Sequence, residues 1–576
     1  MTEVDGSEET EAAEETEPAP PRWDERLVGR WDALLALRTR LAAPTAELLD
    51  DGWSRFVAPF RPLWSRWESA TLLRRKVPVG LLVLVVVWYA MVFGRLVFWR
   101  HERFGSFDYD LGMYDQGIWQ LAHGRGYMTV RGMQVFAHHA NFGYLLFVPF
   151  YWVGIGGPHF LNFVNLATVV GTAVPVFLLG RRHLRSEWAG LAFVIAYLFH
   201  FMPQWMIQET FHPESMAVLG LASAWYAASI GRWRWYWAWV VFALIWKEDV
   251  AIAVMVLGVA IAFAYKVPRR GLWTAALGAV WFVVATRFFM PLFQQGDAVY
   301  DGLFGQLGAT TTDVIHTSIV HPSRLIETLR CHGVFDGKPK PVPVPIQGVD
   351  CAAQMPTDNL PPRGWATMAQ PYGLLPAMAS PHVAAVGVPQ HVVNYSTTAD
   401  FTWSLLFHYA FIPYLGVLLA TVHTATRRVR PVFAWMIIVV MLVGVGVTNE
   451  KGVGPWTSNG SAGFWPLTDN PKNDDRRALL AKIPDDAGVS THYYLVPHLT
   501  HRERIYTFPN PWRSNNYGVG GVPAPPDPRT AVDWLLVDRA DLGNPDDLAL
   551  YDSVLADEDW VLVEERDTLE LHRRSS

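Results

Sequence analysis

Three carboxylates fall within eight residues of the stretch "FGSFDYDLGMYDQGIWQLAHGRG", which runs from Phe104 to Gly126: Asp108, Asp110 and Asp115. Side chains of this type can deprotonate a hydroxyl or hold a divalent ion. Further polar groups recur along the chain among aromatic and apolar residues. "VFAHHANFGY" carries His138 and His139, and "QETFHPESM" carries Glu209, His212 and Glu214. "LIWKEDVAI" carries Lys247, Glu248 and Asp249, "VVATRFFMP" carries Arg287, and "LLFHYAF" carries His408 and Tyr409. Lysine and arginine can hold a phosphate, arginine with a planar fork. Tryptophan and tyrosine can stack on sugar faces or line a lipid groove. Acids, a few cations and aromatics together suit group transfer from a lipid-phosphate donor.

Each group also has a purely structural reading. Lys247 can pair with Glu248 or Asp249 in a tight hairpin, and Arg287 can snorkel to lipid headgroups. His212 and His408 can be hydrogen-bonded core histidines. Asp108 can cap a helix, and Asp115 can be a surface charge. His138, His139 and His212 could bind metal with the carboxylates, but no tight ligand spacing singles them out. A divalent cation is therefore an open cofactor choice.

The elements that must position these groups are membrane helices. The chain of 576 residues is 51% hydrophobic and 14% aromatic, with 27 Trp. Its apolar residues come in blocks near the length a helix needs to cross a bilayer. Nine spans are expected, near 77–98, 159–180, 187–206, 213–230, 234–247, 250–265, 271–293, 403–424 and 431–448. Basic clusters follow at Arg74-Arg75-Lys76, Arg181-Arg182 with Arg185, Arg232 with Arg234, Lys266 with Arg269-Arg270, and Arg427-Arg428 with Arg430. With nine spans and a cytoplasmic N-terminus, all of these clusters fall inside, as the positive-inside rule asks; Arg100 and Arg103 are the exceptions. The polar groups above then gather on the outside. The segment 142–157 reads as re-entrant or interfacial. The Pro-rich stretch 371–393 could add a short hairpin and bring the count to eleven.

The span 234–247 is short, roughly 20 Å at 1.5 Å per residue against a core of about 30 Å. Charged groups at such a place are costly and usually functional. The Lys247–Asp249 turn is thus expected below the outer surface, in a water-accessible pocket.

The ends differ from this body. Residues 1–22 are acidic, with neither a basic nor an apolar signal region, and their composition predicts disorder. Residues 23–76 read as amphipathic helices at the cytoplasmic surface, or as a soluble helical hairpin. Residues 449–576 alternate short apolar runs with helical stretches, as a small α/β domain does. Cys331 and Cys351 lie in the external loop 294–402, where either a disulfide or two thiols would fit. The net charge of -6 averages unlike regions, and no basic patch with interleaved aromatics points to nucleic acid.

In their order, "FDYDLGMYDQGIWQLAHGRG", "FHPE", "KED", "WFVVATR", "FHY" and the C-terminal "IPDDAGVSTHYYLVPHLTHRERIYTFPN" resemble the DUF2079 family of bacterial membrane proteins, over roughly residues 80–570. The loop 331–400 departs from the family's pattern. That family is similar in layout to the GT-C superfamily of membrane glycosyltransferases. The resemblance implies a mainly α, polytopic fold with a small external α/β domain. It also implies sugar transfer from a polyprenyl-phosphate donor to a cell-envelope glycan, lipid or protein, at the membrane's external face. By that carry-over Asp110 is the first choice for the catalytic acid and Asp108 the second, while Asp115 is structural or substrate-orienting. Lys247 and Arg287 would bind the donor phosphate. Glu209, His212, Glu214, Glu248, Asp249, His138, His408 and Tyr409 would line the substrate site. A transporter or lipid flippase would use similar intramembrane charges, but no inverted repeat is visible. A non-enzymatic envelope assembly protein is the remaining alternative.

Overall fold

The computed structural model describes residues 71–331, 361–397, 399–461, 464–557 and 560–575. The acidic tail and nearly all of the amphipathic N-terminal stretch lie outside these residues, and so does Cys351 with any bridge to Cys331.

Helix α1 (Val77–Glu102) opens the described body. It is apolar all round, as a helix touching both lipid and protein must be. Tyr89, Phe93 and Leu96 are buried, while Val83, Leu84, Trp88 and Met91 face outward. A short helix, α2 (Met113–Ala122), follows the Asp108–Gly112 turn. The small hairpin β1 (Tyr127–Met128) and β2 (Met133–Gln134) comes next. The apolar segment Phe142–Trp152 forms only short helical turns, far too short to cross a bilayer.

Helices α3 (Pro158–Gly171) and α4 (Ala173–Leu184) run on as one apolar stretch of 27 residues. The expected span at 187–206 is instead a bent pair, α5 (Glu187–Leu198) and α6 (Phe201–Gln208), angled by 52°. The break has a local cause. His200 leaves the helical region and caps α6, its Nδ1 accepting from the Met202 N–H at 3.2 Å.

Helix α7 (Pro213–Ser229) starts with proline at its first position, where the missing N–H costs nothing. Helix α8 (Trp233–Leu244) is only 12 residues long, about 18 Å. Helix α9 (Val250–Tyr265) and helix α10 (Pro268–Val284) form a hairpin. Glycines let their backbones meet: a Cβ on Gly258 would lie 2.6 Å from the Ala275 nitrogen, and one on Gly278 would lie 2.7 Å from the Ala251 oxygen. Helix α11 (Phe411–His423) sits inside the apolar stretch His408–Arg428 and is buried along its whole length. Helix α12 (Pro431–Thr448) closes the set.

Among the described residues, five helices are long and apolar enough to cross a membrane, or six if the bent pair counts as one. Each expected span contains a helix, but 187–206 is broken, residues 404–407 of the expected span 403–424 are non-helical, and α7, α8 and α9 are shorter than a full crossing.

The C-terminal part contains helix α13 (Lys472–Leu480), helix α14 (Pro545–Asp557) and a five-stranded sheet. The strands are β3 (Val489–Thr491), β4 (Ile505–Thr507), β5 (Trp534–Asp538), β6 (Trp560–Arg566) and β7 (Leu569–Arg574). Their order is β4-β3-β5-β7-β6, with β4, β3 and β5 parallel and the β7 pairings antiparallel. The edge of β4 is covered, as an open edge must be. Thr129 Oγ1 donates to the Ile505 carbonyl and accepts from the Ile505 N–H, both at 2.9 Å.

The two arginines that broke the charge rule have structural posts. Arg100 is buried, and its guanidinium donates to the Gly105 carbonyl at 2.7 Å and to the Gln208 carbonyl. Arg103 donates to the carbonyls of Pro466 at 2.6 Å and Leu467 at 2.5 Å.

Gly258→Leu should force the α9–α10 hairpin apart and destabilise the protein by about 1–3 kcal/mol, read as a lower melting temperature in detergent. Gly446→Leu, at a position with nothing within 4 Å, should leave it unchanged.

Candidate functional site

The polar groups meet at helix ends. Asp110 lies just beyond α1, Glu209 and His212 between α6 and α7, Lys247 to Asp249 between α8 and α9, and His408 ahead of α11. The turns that carry them are unusual. Asp110 has φ 66° and ψ -89°, and Thr210 has φ 85°; such values cost a non-glycine residue energy unless its surroundings hold it. Asn165 holds the second turn, donating to the carbonyls of Met206 at 2.9 Å and Thr210 at 2.6 Å. Arg100 ties that turn to the end of α1 through Gln208.

A continuous chain of ionic contacts follows. Asp110 Oδ2 is 3.4 Å from His212 Nε2, which is 3.8 Å from Glu209 Oε1. Glu209 accepts from His408 Nδ1 at 2.8 Å and from the His408 backbone N–H. The rings of His212 and His408 stack with centroids 3.8 Å apart. His408 Nε2 is 3.8 Å from Glu214 Oε1, which accepts from Lys247 Nζ at 2.7 Å. Lys247 Nζ also lies 3.5 Å from Asp249 Oδ2 and 5.5 Å from the centre of the Tyr409 ring. Lysine and its carboxylate partner Glu214 are both buried. The Asp110 side chain, at 29% exposure against 0% for His212, is the most exposed end of this chain.

Glu248 belongs to a neighbouring group. It receives the His139 ring nitrogen at 2.8 Å and the Ala140 N–H at 3.1 Å. The His138 ring packs on His139, with centroids 4.2 Å apart. Burial, with the nearby charges of His139, Arg131 and Lys247, keeps His138 well below its usual pKa. The hairpin reading of Lys247 is met by its contact with Asp249, while its shorter contact goes to Glu214 on α7 and Glu248 goes to His139.

The three acids of the opening stretch separate. Asp108 does not cap a helix; its Oδ2 accepts from Thr507 Oγ1 at 2.6 Å, and its N–H donates to the Tyr493 carbonyl at 2.9 Å. Burial raises its pKa, and the Thr507 hydrogen bond does not fully offset this. For Asp110, burial acts upward but the His212 ring beside it wins, and the pKa falls below 3.8. For His212, burial acts downward, but Glu209 and Asp110 carry it up to about 9. Asp115 is no surface charge. It is fully buried and accepts from Tyr151 Oη at 2.5 Å and from Thr500 Oγ1, with His501 Nε2 at 3.3 Å.

Arg287 lies outside this cluster, exposed, with its guanidinium on Thr312 Oγ1. Sequence reading missed Arg100, Asn165, Thr507 and Arg131, whose guanidinium stacks 5.2 Å from the Tyr109 ring centre. Only Arg100 gave a signal, as a cation on the wrong side of a span.

Apolar helices and buried ionisable groups gathered at their ends define a helical membrane protein. More particularly, the chain belongs to the family described as "Predicted membrane protein (DUF2079)", which matches residues 100–333 and 360–571. The structure is similar to ArnT from Cupriavidus metallidurans in its undecaprenyl phosphate-bound form, with a TM-score of 0.45 and 12% identity over 86% of this chain and 98% of that one. The apo form of the same protein gives a TM-score of 0.46 and 13% identity at the same coverage. The Archaeoglobus fulgidus oligosaccharyltransferase gives 0.36 and 11%, over 86% of this chain and 74% of that one. Among curated proteins none matches the chain.

Lys247→Met should strand Glu214 and Asp249 without their cation and destabilise the protein by about 3–5 kcal/mol. Thermal unfolding in detergent measures this, and adding Glu214→Gln should restore part of the loss.

Proposed function

We propose that this chain is a membrane glycosyltransferase of GT-C-like layout. It moves a sugar from a polyprenyl-phosphate donor to a cell-envelope glycan, lipid or protein at the external face. The observation that carries the reading is Asp110. It is the most exposed member of a largely buried acid–histidine–lysine chain, its side chain at 29% against 21% for Asp249 and 0% for His212, held in a strained turn that follows an apolar helix.

In the reaction, Asp110 takes the proton of the acceptor hydroxyl as that oxygen bonds the sugar C1. The bond from C1 to the donor phosphate breaks, and the lipid phosphate leaves with the electron pair. The His212 ring beside Asp110 holds its carboxyl in the ionised form that a general base needs. Asp108, bound to Thr507, holds the turn in place. Lys247 faces the leaving phosphate from within the cluster. Arg131, whose charge acts on His138 as that of Lys247 does, is the second cation on this side, while Arg287 serves a donor that extends towards Thr312. Glu209, His212, Glu214, Asp249, His408 and Tyr409 shape the sugar site, and Glu248 acts through His139. The ionic chain lies at helix ends rather than mid-helix, which favours surface chemistry over a transport path.

The topology follows the same logic. The C-terminal sheet touches the loop after α1 through Asp108, Thr507 and Tyr493. That supports one side for both, hence an odd number of crossings between them and the N-terminal side. Nine spans, a cytoplasmic N-terminus and an external C-terminal domain satisfy this.

Asp110→Asn should keep the fold and lower transfer from a defined polyprenyl-phosphate sugar by at least about 10²-fold, measured with labelled donor in proteoliposomes. Full activity in that variant, or substrate flux without any transfer product, would overturn the assignment.

A further inference from the structure

We propose that Glu209, His212 and His408 form a binding site for a zinc-like divalent transition metal, its open position facing Asp110. The inference concerns the site of the transfer reading but rests on the donor atoms alone.

One ligand atom from each of the three residues lies within 4.8 Å of the other two. Zinc takes histidine nitrogen and carboxylate oxygen at about 2.0–2.2 Å, so small side-chain rotations close the set. The backbone is already in place. Glu209 and His212 sit on the turn that Asn165 and Arg100 hold, and the His408 N–H is bonded to Glu209.

A second observation is independent of that spacing. His212 Nε2 is fully buried and has no hydrogen-bond partner of good geometry. A buried polar atom in that state costs free energy, yet its surroundings are Asp110 Oδ2 at 3.4 Å and Glu209 Oε1 at 3.8 Å. The other ring atom fixes what Nε2 can do. His212 Nδ1 faces the Thr210 carbonyl at 3.4 Å, so a cation that displaces the Nε2 proton would take that lone pair while Nδ1–H stays directed at the carbonyl.

His408 uses the other ring atom: a metal would replace the proton that Nδ1 now gives to Glu209 at 2.8 Å, and would leave an N–H on Nε2, which lies 3.8 Å from Glu214 Oε1. A ligand histidine that gives its outer N–H to a carboxylate is held in orientation and made more basic. Glu214 in turn is fixed by Lys247. Two imidazoles and one carboxylate select zinc and its neighbours over magnesium or calcium, which prefer oxygen. A metal held there leaves its fourth position towards Asp110, the accessible acid.

The test uses the full-length protein without a histidine tag, stripped with chelator in detergent. Zinc content by mass spectrometry and the visible bands of bound Co²⁺ report binding. One ion per chain is expected, together with a higher melting temperature on adding Zn²⁺ and no effect of Mg²⁺. His408→Ala and His212→Ala should lose the ion, Glu214→Gln should weaken it by about 10–100-fold, and exposed His316→Ala should bind as before. Should His212→Ala not fold, His408→Asn in the folded protein decides. Absence of stoichiometric binding to the stripped protein, or unchanged binding in the His408 variants, overturns the site. Transfer is assayed separately, so an Asp110→Asn variant that binds metal but does not transfer leaves both readings standing.

Discussion

A single buried ammonium organises this molecule's polar interior. Lys247 Nζ reaches Glu214 at 2.7 Å and Asp249 at 3.5 Å, and so joins the first turn of α7 to the turn before α9. Buried charges are tolerated only when they are paired and hydrogen-bonded. Remove the ammonium and the carboxylate string from Asp110 to Asp249 has no fixed positive charge within it; the histidines alone would have to supply protons. The shortness of α8 follows from the same need. A longer helix would carry Lys247 past the layer where Glu214 and His408 lie.

The second constraint comes from the far end of the chain. The loop of Asp108 and Asp115 is gripped by residues almost four hundred positions later: Thr507 on Asp108, and Thr500 and His501 on Asp115. The carboxyl ends of β3 and β4 thus press on the turn whose Asp110 is strained. In open sheets of parallel strands this end is where ligands commonly bind; here a loop of the same chain occupies it. The grip explains how Asp110 keeps a backbone geometry that a free loop would abandon.

Much of this was legible in the sequence. Among the described residues apolar blocks marked the helices of the membrane body, although 187–206 is a bent pair and α11 begins only at Phe411, and the alternation of short apolar runs with helical stretches after residue 449 matches the sheet with α13 and α14. The clustering of Asp110, Glu209, His212, Glu214, Lys247, Asp249 and His408 followed from reading each as a costly charge at a helix end. What could not be read depends on three-dimensional closure. The bend at His200 arises from one capping bond. The three residues of β4 are too few for a period. Thr507 and Asn165 are ordinary residue types whose roles come only from the neighbours they meet. Asp115 was separable from Asp108 and Asp110 only by analogy, and its burial by Tyr151 and Thr500 supplies the physical reason.

The grip of the C-terminal sheet on the Asp108 loop also sets an order of events. Thr507, Tyr493 and Thr500 are made after every membrane-length apolar helix among the described residues. Until they arrive, Asp108 lacks its hydrogen bonds and nothing holds the turn of Asp110 against its own strain. The turn of Asp110 is therefore fixed only once residues 489–507 have been made and have folded back on the first loop.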